Sequence, residues 1–177
     1  MKTVFLTVGG SASGKDSIVS KLTEQGYIQL ISYATRPCRV NEGNTHVFIQ
    51  PEEVINYQED MVAYTQIGSA EYFATKRQLL ECDLYVIDPV GIRYLKQIIK
   101  DIRFVTIYIS LPEEIRFQRA TSRQDKNGVI IKRFIDESQR FKEFIEKTEF
   151  DYAVTNYDLS KSVEIIKNII EVERKYN

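Results

Sequence analysis

The stretch TVFLTVGGSASGKDSI, residues 3–18, limits what this chain can become more than any other. Its first six residues, Thr3 to Val8, are β-branched, aromatic or aliphatic, the pattern of a strand buried on both faces. Glycines then crowd into a turn, and Ile18, Val19 and Leu22 follow at helical spacing, with Gly26 placed as a helix terminator. Strand, glycine turn and helix in that order predict a parallel α/β unit whose turn lies at the carboxyl end of a strand, where such sheets bind ligands.

The remaining sequence repeats the alternation. YIQLISY (27–33), DLYVID (83–88), RFVTIYIS (103–110) and YAVTN (152–156) read as strands. VGIRYLKQIIK, the segment after Pro112, a long segment from Ile130 and SVEIIKNIIEVERKY read as helices, with Ser110 and Glu113 spaced as a capping box. Residues 34–75 are less regular, and HVFI and MVAYTQI within them are strand-like. The expected fold is α/β, with a mainly parallel sheet flanked by helices. One domain is expected, with a core of 1–33 and 76–177, an insert of 34–75 and a lid over about 119–133.

The chain has 177 residues and a net charge of -1. It therefore has no global field to draw in nucleic acid or an anionic membrane surface, and an anion must be held by a local arrangement. Cys38 and Cys82 form no metal or redox spacing, which suits a reduced cytoplasmic protein. The apolar start is too short for a signal segment, and no apolar run approaches the ~20 residues of a membrane span. The oligomeric state is left open.

Gly9-Gly10-Ser11-Ala12-Ser13-Gly14-Lys15 fits G-x-x-x-x-G-K. Glycines let successive amides turn inward toward phosphate oxygens, the following helix adds its positive end, and Lys15 supplies a point charge. Gly9, Ser11, Ala12, Ser13, Gly14, Lys15, Asp16 and Ser17 are thus the candidate nucleotide cradle. A Ser or Thr hydroxyl normally follows the lysine and meets Mg²⁺. Here Asp16 stands in that place with Ser17 behind it, and both are candidate ligands for a magnesium ion carried by ATP.

SYATRPCR (32–39) resembles the Ser-x-x-Thr-Arg-x-x-Arg segment of the guanylate kinase family. EYFAT, VIDPVG, RATSR, IIKRF and YAVTNYDL resemble further blocks of that family in the same order, so the likeness spans nearly the whole chain. It implies a P-loop kinase core, an acceptor-binding subdomain, a mobile lid, and ATP-dependent phosphoryl transfer to a nucleoside monophosphate, with GMP favoured. By the same resemblance Ser32, Arg36 and Arg39 hold the acceptor phosphate. Two guanidinium forks three residues apart can clamp a dianion. Arg119, Arg123 and Arg133 match the lid arginines, which with Lys15 neutralise charge on the transferring group. Asp88 matches a position near acceptor and metal, and also suits a helix N-cap before Pro89.

The departures concern the acceptor base. Ala63 falls where the family reads guanine with a glutamate. His46 and Phe73 fall on family tyrosines, while Thr75 keeps the residue expected at the base oxygen. GKDS after a glycine-rich loop is also similar to ribose 1,5-bisphosphokinases, whose acceptor has no base. A kinase for another phosphorylated acceptor is therefore the alternative. A non-catalytic guanylate kinase-like binding module is the third reading, disfavoured by the retained Lys15 and arginines.

Overall fold

The computed structural model describes residues 1–38, 45–122 and 127–176. Its spine is β1 (Lys2–Val8), in which Val4, Leu6 and Val8 face one hydrophobic cluster and Phe5 the other, so both faces are covered. The chain passes through α1 (Lys15–Thr23) into β2 (Gln29–Leu30). It later adds β7 (Leu84–Val86), β8 (Ile102–Ser110) and β9 (Tyr152–Thr155) to a five-stranded sheet of order β2-β7-β1-β8-β9, parallel throughout. Strands are added first on one side of β1 and then on the other. The resulting crevice opens at the carboxyl end of β1, where Gly9 begins.

Helices α1 and α6 (Leu159–Lys175) close one face, with Ile18, Leu22, Ile166 and Ile170 against Phe5 and Ile107. The other face is closed by α2 (Lys76–Glu81), α3 (Pro89–Ile98) and α5 (Asn127–Glu146), through Leu79, Ile92, Leu95 and Phe144. Between β8 and α5 lies α4 (Glu113–Ser122). A second sheet of order β4-β3-β6-β5 is built from β3 (Tyr33–Ala34), β4 (Val47–Phe48), β5 (Met61–Ile67) and β6 (Ala70–Thr75). A 3₁₀ helix covers Pro51–Tyr57. Among the described residues no helix is long and apolar enough to cross a membrane.

Two sequence expectations change. The strand expected over 27–33 is two short strands in different sheets: Leu30 pairs with Tyr85 in the large sheet and Tyr33 with Phe73 in the small one. Periodicity marks such a run as extended without saying which neighbour it pairs with. Ser110 does not cap α4. It ends β8, where its hydroxyl meets Thr155 Oγ1 at 2.9 Å.

Phe144 is fully buried, with the rings of Tyr108, Phe141 and Phe150 at centroid distances of 5.9, 6.2 and 5.7 Å. Phe144→Ala should lower unfolding free energy by about 3–5 kcal/mol, read as an earlier urea midpoint at unchanged m-value. The two thiols should also separate. Burial pushes the Cys82 thiol up to about 12, whereas Cys38 is exposed. Thiolate is the reactive form, so a disulfide reagent at pH 8 should modify one thiol per native chain quickly and the second only after denaturation.

Candidate active site

Between β1 and α1 the backbone alternates hands: Ala12 has φ 59° and Gly14 φ 91°, and Ser13 N–H closes a turn onto the Gly10 carbonyl at 3.1 Å. Successive amides in such a loop form a concave anion nest. Glycine is required at both ends. A Cβ on Gly9 would lie 2.6 Å from Ser13 Oγ and 2.7 Å from the Ile109 carbonyl oxygen, while one on Gly14 would collide with the Asn156 amide. Asn156, just past β9, supports the loop from below by donating from Nδ2 to the Ser13 carbonyl at 2.8 Å. Ser13 Oγ and Asn156 Oδ1 are buried with no protein partner among the described residues.

The loop opens into a cavity of about 320 Å³. Gly9, Ser11, Lys15 and Asp16 of the loop and α1 line it, together with Ser32, Arg36, His46, Tyr72 and Asp88, and with Arg133 and Arg140 of α5. Lys15 Nζ lies 3.4 Å from the Asp16 carboxylate. That ammonium, helped by His46, holds the Asp16 carboxyl below the usual carboxylate range. An ionised, largely exposed carboxylate at the cavity mouth is a hard oxygen donor suited to Mg²⁺. Ser17 sits on α1 outside the cavity lining.

Within the lining Arg36 is held by its neighbours. Its Nε donates to Tyr72 Oη at 2.9 Å, and its guanidinium lies 5.2 Å from the Phe48 ring centre and 5.9 Å from that of Tyr72. Ser32 Oγ and His46 Nδ1 are 3.0 Å apart. Asp88 Oδ1 accepts from Gly91 N–H at 2.6 Å, capping α3, and from Thr65 Oγ1 at 2.9 Å. Its Oδ2 is buried with no hydrogen bond among the described residues, 3.7 Å from the Arg140 guanidinium. Asp88 thus caps a helix and lines the cavity at once.

The helices after β8 border the loop. Arg119 donates to the Asn156 carbonyl at 3.0 Å, beside Gly14, and does not itself line the cavity. Arg116 spreads over the Phe134 ring at 4.7 Å and reaches the Ser11 carbonyl at 3.4 Å. Glu137 of α5 accepts from Ser11 N–H at 2.7 Å and from the Ser11 hydroxyl.

The guanylate kinase family model matches residues 1–173. The chain belongs to the guanylate kinase family. Its curated relatives are named guanylate kinases, which are nucleoside monophosphate kinases, the enzyme class expected from the sequence. The chain is 28% identical to the guanylate kinase of Mycoplasmoides gallisepticum over 98% of its own length and 93% of that protein. It is 25% identical to that of Vibrio cholerae, over 97% and 88%. The crystal structure of guanylate kinase from Anaplasma phagocytophilum superposes with a TM-score of 0.74 at 20% identity, covering 97% of this chain and 86% of that one, a likeness of fold.

Several positions inferred from the guanylate kinase resemblance sit elsewhere. Phe73 is 1% exposed and stacked on Tyr33 at 5.0 Å, on the face of β6 away from the cavity, and its neighbour Tyr72 takes the cavity position. Thr75 is likewise outside the lining. It N-caps α2, accepting from Gln78 N–H in a capping box. Both follow from strand alternation, which sends 73 and 75 to one face and 72 to the other. Ala63 does line the cavity, and Glu71, an acid close in sequence to the lost acceptor, is engaged by Tyr64 Oη at 2.9 Å outside it. Arg39 and Arg123 lie outside the described residues. Arg116, Glu137 and Arg140 escaped the sequence reading. The 133/137/140 spacing on one predicted helix was the available signal, since it puts the three on one face.

Proposed function

We propose that this chain transfers the γ-phosphoryl group of ATP to a nucleoside monophosphate, GMP foremost, in the cytoplasm. The observation that carries the reading is the single cavity joining the glycine loop and Lys15 to Ser32, Arg36, His46 and Asp88. Donor and acceptor phosphates could meet there without crossing solvent. Residues 34–75 would act as the acceptor-binding insert and about 119–133 as the lid.

The loop amides and Lys15 would hold the donor phosphates, with Asp16 the foremost residue to receive the accompanying magnesium ion. Magnesium would supply charge neutralisation across the donor oxygens. Arg36, braced by Tyr72 and Phe48, would fix the acceptor phosphate in line, with Ser32 and His46 beside it. The acceptor oxygen is already ionised near neutral pH, so no general base is assigned. Lys15, Arg133 and Arg119 would offset charge on the transferring group.

Ala63 in the wall supports a second reading, the same chemistry on a base-free acceptor. A site without a base acceptor discriminates weakly among bases. An ADP-release assay across GMP, dGMP, AMP, UMP, CMP and ribose 1,5-bisphosphate separates the two. The highest kcat/KM on GMP supports the first, and turnover confined to ribose 1,5-bisphosphate replaces it with the second. No turnover on any acceptor, with ATP bound, points to a binding module.

A further inference from the structure

The phosphate loop already holds an anion belonging to the chain itself. Ser11 N–H donates to Glu137 Oε2 at 2.7 Å and the Ser11 hydroxyl donates to Oε1, so both carboxylate oxygens rest on one residue of the loop. Arg116 stands behind, 3.8 Å from Oε2. That is an ion-pair distance and too long for a hydrogen bond, so the close donors are the loop's own. The carboxylate is also near the backbone: a Cβ on Gly10 would come within 3.3 Å of Oε2. Glu137 is only 22% exposed, and it lines the same cavity as Lys15.

We infer that Glu137 is an internal ligand of the phosphate loop, occupying Ser11 when no nucleotide is bound and displaced when a phosphate enters. This rests on the reading of the loop as a nucleotide site. The physical case is competition for the same donors. A carboxylate and a phosphate oxygen accept the same amide and hydroxyl hydrogens, and two anions cannot share Ser11 without strong repulsion at that range. The fraction of chains with the loop held by Glu137 then lowers apparent affinity for every phosphate ligand. Departure of Glu137 would also free α5, which carries Arg133 into the cavity and Arg140 to Asp88. Filling of the donor loop and arrangement of the acceptor wall would thereby be linked through one helix.

The test is calorimetric titration of ATP and of inorganic pyrophosphate into wild type, Glu137→Ala and Glu137→Gln, with melting temperatures recorded. Amide exchange at Ser11 is followed by NMR. Expected is roughly tenfold tighter binding of both ligands to Glu137→Ala, what a loop nine-tenths held by its own carboxylate would give. Glu137→Gln should fall between, because its amide oxygen still accepts but carries no charge. The Ser11 amide should exchange faster in ligand-free Glu137→Ala than in wild type, and ATP should slow it in both. Equal or weaker binding by a folded Glu137→Ala, or unchanged exchange at Ser11, overturns the inference while leaving the nucleotide reading in place. If Glu137→Ala does not fold, Glu137→Gln decides by the same criteria. If neither wild type nor variant takes up ATP, the nucleotide reading falls and the inference with it.

Discussion

Lys15→Ala should lower kcat by about 10³-fold, the scale of losing one preorganised charge at a developing anion, while melting temperature and far-ultraviolet circular dichroism stay near wild type. Lys15 begins α1 at the lip of the cavity, and its ammonium contacts only the exposed Asp16 among the ion pairs described. The fold does not depend on that contact, since exposed ion pairs contribute little. In the proposed mechanism transfer does depend on the ammonium, because phosphoryl transfer relies on placement and charge neutralisation more than on covalent chemistry. Removing the ammonium should also leave the Asp16 carboxyl nearer its ordinary range, since Lys15 is the main cause of its lowering. Coupled ADP release under saturating substrates is the measurement. Activity within a few-fold of wild type would reject the mechanism.

Arg36→Met should raise the acceptor KM by about 10²-fold, the scale of truncating one partner of a charge-assisted contact, with a smaller effect on ATP binding. Tyr72 and Phe48 hold the guanidinium in place before any acceptor arrives, so little ordering is left for binding. Methionine keeps much of the apolar stem between those rings and removes only the fork. Arg36→Lys should recover little, since an ammonium cannot replace a planar bidentate donor at a stacked site. Initial rates over a GMP series at saturating ATP would show it. An unchanged KM would move acceptor-phosphate binding away from Arg36.

The parallel core was legible because its signals are local. An apolar strand, a glycine turn and an amphipathic helix each declare themselves within about ten residues, and β1, α1, α3, α6 and the loop lie where those signals put them. The cavity wall was less legible because it depends on which way a strand faces. Phe73 and Tyr72 differ by one position, and a one-residue change inverts the face presented. A bulge in β5 between Met61 and Ala63 adds an offset that counting along the sequence cannot register. Glu137 was hidden for another reason. An acid on a long charged helix reads as solvated, and only the fold brings it to a loop 126 residues away.

The floor of the loop comes from far along the chain. Asn156, 143 residues after the Ser13 carbonyl it holds, fills the space beneath Gly14. During synthesis the glycine stretch leaves the ribosome well before Asn156, so its underside stays open until β9 has emerged and docked beside β8. A nascent chain that stops short of β9 would carry the phosphate motif without this support, so on the proposed reading competence would wait for that strand.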